Sequence, residues 1–279
     1  MVRPYFPYQS VEAGVLKVAS RLFRVEFREI NGAPVWDPSV HVYDVYDFGA
    51  KAGRIYLDMH PREGKNNWDS SPPMIPGSGG RQLPEAALVC NMPGGVAEDP
   101  GLMGIGGVGV FLHEFGHLMH DILSGRQRWA GQTGNNTEFD FLEAPSLMLE
   151  EMVMNPTILQ SIAKHYRTGE SIPLELILKA KQASFQRAGA WQAQLSVATL
   201  LLDLHNRNPE DLDIDTVYKA DFSRFNSVPF LEGDKSYAAL THLIGYSSNY
   251  YTYILDEVIG LDFLAQFDQK NILDRKSVV

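Results

Sequence analysis

The sequence predicts an α+β protein in which helices predominate. Two observations support this class. Short runs of alternating apolar residues, typical of strands, occur only before residue 92, and runs with apolar residues at helical spacing occupy most of the chain after residue 105. At 279 residues with 44% hydrophobic residues, the chain can bury a sizeable core without a disulfide. We expect a single domain over 1–279, with mixed strands and loops in 1–100 and a helical body in 101–279.

The first hundred residues contain one helical pattern and three strand patterns. Apolar residues at helical spacing predict a helix over 11–23, and alternation predicts strands at 39–48, 53–59 and 86–91. A long loop rich in Gly, Ser, Asn and Pro occupies 64–84. The outline is a small sheet that precedes the helical region.

Helical patterns dominate the remainder of the chain. The predicted helices are at about 105–124, 143–155, 174–188, 190–206 and 236–268, separated in part by Pro173, Pro209 and Pro229. The run Gly104–Gly109 matches the GxGxxG pattern of dinucleotide-binding proteins, but no predicted strand directly precedes it. We therefore interpret these glycines as positions of close packing at the start of a helix.

Composition and charge exclude several classes of function. The net charge is −10, and Lys and Arg do not cluster, so we expect no nucleic-acid partner. No run reaches the roughly 18 apolar residues of a membrane span, and no apolar signal segment begins the chain. Cys90 is the single cysteine, and we expect it to be buried in a strand. These features predict a cytoplasmic protein without a membrane partner, and we expect a monomer.

The most informative motif is the pentapeptide HEFGH at 113–117. His113 and His117 are four residues apart on one face of a predicted helix, so both imidazoles can reach one metal ion. Apolar residues surround them in the sequence, which predicts a buried helix where polar groups need a partner. Glu114 points in a different direction from His113 and is placed to act on a metal-bound water. The ligand types indicate one Zn²⁺.

A third ligand is needed, and spacing alone leaves its identity open among five carboxylates: Glu138, Asp140, Glu143, Glu150 and Glu151. Glu143 begins an apolar helical run after a polar, glycine-containing segment long enough to reverse the chain. It is either the third ligand, brought to the metal by a second helix, or the capping-box partner of Asp140. Glu150, seven residues later, either orients a ligand histidine or is solvated.

Aromatic residues form a second pattern in the run THLIGYSSNYYTYILDEV at 241–258. Tyr246, Tyr250 and Tyr253 fall on one predicted helical stripe, with His242 just before them. Such a stripe is either part of the core or a set of hydroxyl donors for a peptide carbonyl and its oxyanion.

Together these runs resemble the thimet oligopeptidase family of zinc metallopeptidases, which includes neurolysin and oligopeptidase A. The similarity lies in HEFGHLMH, EAPSLMLEEM and HLIGYSSNYYTYILDEV, and in YFP, GRIYLDMHPREGK and LVCN nearer the start. It extends over nearly the whole chain. The order HEFGHxMH, then EAPS about 25–30 residues later, is the specific part of the match.

The resemblance implies roles for individual residues. It makes His113, His117 and Glu143 the zinc ligands and Glu114 the general base. It further implies that Tyr253, with Tyr246, Tyr250 and His242, engages substrate and transition state, and it implies a mostly helical zincin-like fold whose deep channel admits short peptides. We also expect the loop 131–137, with Gly131 and Gly134, to close over the peptide.

The chain also departs from the family pattern. Members are usually more than twice as long, so we expect a catalytic-region fragment that lacks the N-terminal half. The predicted function is zinc-dependent hydrolysis of short oligopeptides. The alternative is a truncated module that binds zinc and peptide with little or no turnover.

Overall fold

Contacts divide the chain into two compact units. The computed structural model describes residues 2–96, 98–183 and 187–273. The first unit comprises the described residues within Met1–Thr137, Pro145–Lys179 and Gly260–Val279. The second comprises those within Glu138–Ala144 and Ala180–Ile259. The expectation of one catalytic domain over 1–279 stays a prediction.

A five-stranded mixed sheet forms part of the first unit. Its strands are β1 (Val25–Glu29), β2 (His41–Asp47), β3 (Ala50–Asp58), β4 (Pro73–Ile75) and β5 (Glu85–Val89), in the order β1-β2-β3-β5-β4. The pairs β1/β2, β2/β3 and β4/β5 are antiparallel, whereas β3 and β5 are parallel. A parallel pair requires a long connection, and the segment that the sequence predicts as an irregular loop supplies it.

The chain contains ten described α-helices. They are α1 (Tyr8–Phe23), α2 (Ile105–Leu123), α3 (Phe139–Leu142), α4 (Ala144–Met152), α5 (Pro156–Ile162), α6 (Leu174–Ala183), α7 (Arg187–His205), α8 (Ile214–Phe225), α9 (His242–Gly245) and α10 (Thr252–Ala265). The described elements are consistent with the predicted α+β class.

The main core of the first unit lies between the sheet and α2. Alternation along β3 directs Ile55 and Leu57 into this core, and Tyr56 belongs to a smaller cluster. Phe111, Phe115 and Leu118 of α2 are fully buried in the same main core. Helix α2 is therefore largely buried, as the apolar residues around HEFGH predict.

The second unit has a separate, smaller core. Leu200 and Leu201 of α7 pack with Val217 and Tyr218 of α8, and Tyr250 joins them. All five side chains are at most 9% exposed.

The prediction of one continuous helix over 236–268 is wrong, because the segment contains several separate elements. The structure has short turns of 3₁₀-helix at Ser236–Ala239 and Ser247–Asn249, the single turn α9, and then α10. Ser247 has a φ of 51°, which a continuous right-handed helix does not allow. Tyr246, Tyr250 and Tyr253 therefore do not share one stripe of one helix.

Other boundaries also differ from the predictions. Among the described strands and α-helices, five were not predicted, namely β1, β4, α3, α5 and α8. The predicted helix 143–155 is α4, which already ends at Met152, and Asn155 caps a separate helix that begins at Pro156. The predicted helix over 174–188 is described as α6, and residues 184–186 lie outside the described residues. No described helix is long and apolar enough to cross a bilayer.

Candidate metal centre

The two histidines of HEFGH lie one turn apart on α2, as predicted. Their ring centroids are 5.0 Å apart with an angle of 75° between the ring planes. His117 is 8% exposed, and the side chain of His113 is 16% exposed. Two imidazoles at this separation can bind one ion, because Zn–N bonds are about 2.0–2.1 Å long.

Glu150 of α4 orients one of these rings. Its Oε2 lies 3.0 Å from His113 Nδ1. A carboxylate at this distance accepts a hydrogen bond from Nδ1–H, which assigns the remaining lone pair of the ring to Nε2. Of the two alternatives for Glu150, the structure therefore favours orientation of a histidine. A carboxylate behind a histidine is a frequent arrangement at metal sites.

A close approach between α2 and α4 allows this contact. A Cβ added at Gly116 would lie 2.6 Å from the Ser146 Cα, so only glycine fits at this position of α2 without a shift. Gly116 is the fourth residue of the HEFGH motif.

Glu143 completes a group of three potential ligands. One ligand atom from each of His113, His117 and Glu143 lies within 4.8 Å of the other two. Glu143 is 3% exposed. The capping-box alternative requires Asp140 to begin a helix, but the N-cap of α3 is Glu138 and Asp140 lies inside that helix. The structure therefore does not support the capping alternative.

Two side chains contact Glu143 from within its own compact unit. The hydroxyl of Tyr246 donates a hydrogen bond to Oε1 at 2.7 Å. The backbone N–H of Glu143 donates to Oδ2 of Asp256, also at 2.7 Å. Asp256 is fully buried, and burial raises its pKa.

The aromatic residues of segment 242–253 cluster although their helix is broken. The rings of Tyr246 and Tyr253 stack with centroids 5.1 Å apart, and Tyr250 lies 5.1 Å from Tyr253. The Nε2 atom of His242 is 3.3 Å from the Tyr253 hydroxyl. Burial, with the Glu143 carboxylate second, raises the pKa of Tyr253 well above its usual value. Its hydroxyl therefore remains protonated and can donate a hydrogen bond.

The sequence comparison decides the family. Residues 1–278 match the sequence pattern of peptidase family M3. The chain belongs to peptidase family M3. The predicted resemblance to the oligopeptidase A group is thereby confirmed, and the family is one of metallopeptidases.

Several M3 relatives match almost the entire chain. An organellar oligopeptidase A of Arabidopsis thaliana, "chloroplastic/mitochondrial", is 31% identical over 99% of this chain and 37% of its own length. Oligopeptidase A of Escherichia coli K12 is 30% identical, covering 99% of this chain and 42% of the relative. A dipeptidyl carboxypeptidase of the same bacterium is 29% identical with the same coverage. The chain thus spans about two-fifths of the length of these curated M3 relatives.

Of the two glycines that the sequence predicts in a substrate-binding loop, Gly134 lies beside α2. Gly131 is in a 3₁₀ turn, Ala130–Gln132. Gly134 has a φ of 57°, and a side chain there would overlap the carboxylate of Asp121. The Asn135 N–H donates to Asp121 Oδ1 at 3.0 Å, so this loop is fastened to α2. A substrate-binding role for the two glycines stays a prediction.

Two other sequence interpretations concern residues near α2. Cys90 is fully buried directly after β5, and burial, then Asp69 and Glu114, raise the pKa of its thiol. A neutral thiol is not a metal ligand.

Gly104 is the N-cap of α2, and β5 ends at Val89, so the GxGxxG run does not directly follow a strand.

Sequence reasoning missed Asp256 as part of this region. It is 113 positions from Glu143, and its contact is with a backbone N–H, which leaves no trace in residue type at position 143. An aspartate within the mostly apolar run of α10 is the signal that could have suggested a polar partner.

Proposed function

We propose that this chain is a zinc-dependent peptidase that hydrolyses peptide bonds in short oligopeptides. The observation that carries the proposal is the group of two imidazoles and one carboxylate with ligand atoms within 4.8 Å. Membership in peptidase family M3 supports it, as do relatives named oligopeptidase A.

The donor set fits zinc. His113, His117 and Glu143 are the residue types that catalytic zinc sites use as three protein ligands. The hydrogen bond between His113 and Glu150 supports metal binding, because it directs the Nε2 lone pair away from the carboxylate. A zinc ion held by these residues would lower the pKa of water and polarise a peptide carbonyl.

The side chains of the protein perform the proton transfers and the charge stabilisation in this proposal. The Glu114 carboxylate accepts a proton from the attacking water and then delivers it to the leaving amine nitrogen. The Tyr253 hydroxyl donates a hydrogen bond to the carbonyl oxygen as negative charge develops there. His242, whose Nε2 is 3.3 Å from that hydroxyl, orients it. Tyr250 belongs to the proposed substrate-binding set.

The Glu114→Gln variant tests this function. The change keeps the size of the side chain but removes its capacity to accept a proton. We expect it to bind zinc like the unaltered chain and to hydrolyse a mixed pool of short peptides about 10²–10⁴ times more slowly. Product masses give the rates, and metal analysis of the same samples gives the zinc content. Glu210→Gln, an exposed position, is the matched control.

Two results would contradict the proposal. Full peptide hydrolysis by Glu114→Gln would remove Glu114 from its role. Stoichiometric zinc with no turnover by the unaltered chain would favour a zinc- and peptide-binding module instead. Cytoplasmic location and a monomeric state stay predictions, because the relatives' names include both an organellar and a probable cytosolic oligopeptidase.

A further inference from the structure

Two residues of the segment that carries the tyrosines hold Glu143 from different sides. Tyr246 reaches the carboxylate, with its hydroxyl 2.7 Å from Oε1. Asp256 reaches the backbone, with Oδ2 2.7 Å from the Glu143 nitrogen. The side chain and the main chain of one residue are therefore both fixed by partners about a hundred positions further along the chain.

The same segment also contacts α3, which ends directly before Glu143. The Tyr246 ring packs edge-on against Phe139, with centroids 5.5 Å apart. Thr252 Oγ1 contacts the Phe139 carbonyl oxygen and lies 2.9 Å from Asp256 Oδ2. Thr252 and Asp256 are both fully buried. These contacts attach the start and the end of α3 to α10.

We propose that Tyr246 and Asp256 are positioning residues for Glu143, and that the affinity of the chain for zinc depends on them. The inference rests on the proposed function, in which Glu143 is a zinc ligand. A glutamate side chain has several rotamers, and a ligand that is already held in one of them loses less conformational freedom when the metal binds. The Tyr246 hydroxyl occupies one of about four lone-pair directions of the Glu143 carboxylate, so the others remain for a metal ion.

This role differs measurably from that of a transition-state donor. A phenol that donates to a ligand carboxylate changes the dissociation constant for the metal, typically by about 10–100-fold. A phenol that donates to the reacting carbonyl oxygen changes kcat, by about 10²–10³-fold, even when metal is saturating. Tyr246 belongs to the first kind because its hydroxyl is on Glu143.

The test is a zinc titration of the metal-free chain against a chelator of known affinity. We expect Tyr246→Phe to bind zinc about 10–100 times more weakly than the unaltered chain. Tyr251→Phe is the matched control, because Tyr251 is in the same segment and 44% exposed. At saturating zinc, the kcat of Tyr246→Phe should return to within a few-fold of the unaltered chain.

The outcomes separate this inference from the proposed function. An unchanged zinc dissociation constant for Tyr246→Phe, with zinc binding lost in Glu143→Ala, would overturn the inference alone. A kcat that stays about 100-fold low at saturating zinc would do the same, since it would make Tyr246 a transition-state donor. Failure of the unaltered chain to bind zinc would overturn both.

Asp256 is tested by a pair of variants. Asp256→Asn keeps an oxygen that can accept the Glu143 N–H, whereas Asp256→Ala removes it. We expect Asp256→Ala to bind zinc more weakly than the unaltered chain, and Asp256→Asn to retain most of the affinity. Equal zinc affinity in Asp256→Ala and the unaltered chain would remove Asp256 from the positioning set, and circular dichroism of each variant verifies that it is folded.

Discussion

At the residue scale, the buried carboxylate of Asp58 at the end of β3 is held by three side-chain donors. It is 1% exposed and accepts hydrogen bonds from Arg62, from Lys65 Nζ at 2.8 Å and from Trp36 Nε1 at 2.7 Å. The side chain of Lys65 is 2% exposed and also donates to the carbonyl oxygens of His60 and Cys90. This cluster fastens the ends of β3 and β5 and the start of the long loop.

Because the pKa of Asp58 is lowered in the folded chain, the free energy of unfolding should fall in acid. Burial alone would raise its pKa, but hydrogen bonds from Arg62, Lys65 and Trp36 lower it to about 2. The pKa of an aspartate in the unfolded chain is about 3.9. The ionised Asp58 therefore contributes its full stabilisation to the free energy of unfolding at neutral pH, and this stabilisation is lost as the pH falls from about 4 to 2. We expect Asp58→Asn to reduce the free energy of unfolding by about 3–5 kcal/mol at pH 7, because Lys65 loses its counter-charge.

Urea unfolding at several pH values measures this effect. The difference between Asp58→Asn and the unaltered chain should be constant above about pH 5 and smaller at pH 3. Asp203→Asn, which removes a surface ion pair with Arg207, is the control and should have little effect at either pH. A difference of the same size at pH 3 and pH 7 would contradict the assignment.

The two histidines of the candidate site could be predicted from the sequence, because they are only four residues apart. His113 and His117 are related by one helical turn, so residue types alone indicate their proximity. Glu143 needed the family resemblance to choose between ligand and cap. Tyr246 was predicted to engage substrate, but its hydrogen bond to Glu143 depends on a three-dimensional contact between residues 103 positions apart.

At the element scale, the contact between α2 and α4 depends on Gly116. A side chain here would meet the backbone of Ser146, which cannot move aside as a flexible side chain would. The same contact brings Glu150 of α4 to His113 of α2. Packing of these two helices therefore sets the orientation of a proposed ligand.

Gly116→Ala should destabilise the chain by about 1–3 kcal/mol, because the added methyl group forces the helices apart. Gly106→Ala in the same helix is the matched control, since a Cβ there has open space around it. It should be neutral or stabilise by up to about 1 kcal/mol, as glycine is a poor helix former. Urea midpoints of the two variants test the contrast, and equal midpoints would show that the close approach does not constrain α2.

Elements with a strong period were predictable from the sequence, and interrupted ones were not. Helix α2 matches its predicted limits within one residue because its apolar period is uninterrupted. The run 236–268 has apolar residues at helical spacing, but a positive φ at Ser247 interrupts it. The residues at 245–249, Gly-Tyr-Ser-Ser-Asn, are poor helix formers, and no residue type there requires a positive φ. β4, three residues long with all of them exposed, has no apolar alternation to reveal it.

At the scale of the whole molecule, net charge predicts a preference among substrates. The chain carries −10 at pH 7. Under the proposed function, two peptides that differ only by Lys or Glu outside the cleaved bond should differ in kcat/KM, with the lysine peptide the faster, because long-range attraction raises its encounter rate. The ratio should approach one as salt rises to about 1 M, where the screening length is about 3 Å. A ratio independent of salt would exclude charge steering.

The division into two units could not be predicted from composition, because the second unit includes the short segment Glu138–Ala144, far from its other residues in sequence. The α+β class could be predicted, because most strand patterns lie before residue 92 and most helix patterns lie after residue 105. Cores of this kind form from contacts distant in sequence, which periodicity does not reveal.

X-ray absorption at the zinc edge of the zinc-loaded chain tests the central claim most directly. With His113, His117 and Glu143 as ligands, the spectrum should contain two imidazole nitrogens at about 2.0–2.1 Å and carboxylate and water oxygens near the same distance, without sulfur. Glu143→Ala should lose an oxygen neighbour or fail to retain zinc. A sulfur neighbour at about 2.3 Å, or an unchanged spectrum in both His113→Ala and Glu143→Ala, would contradict the claim.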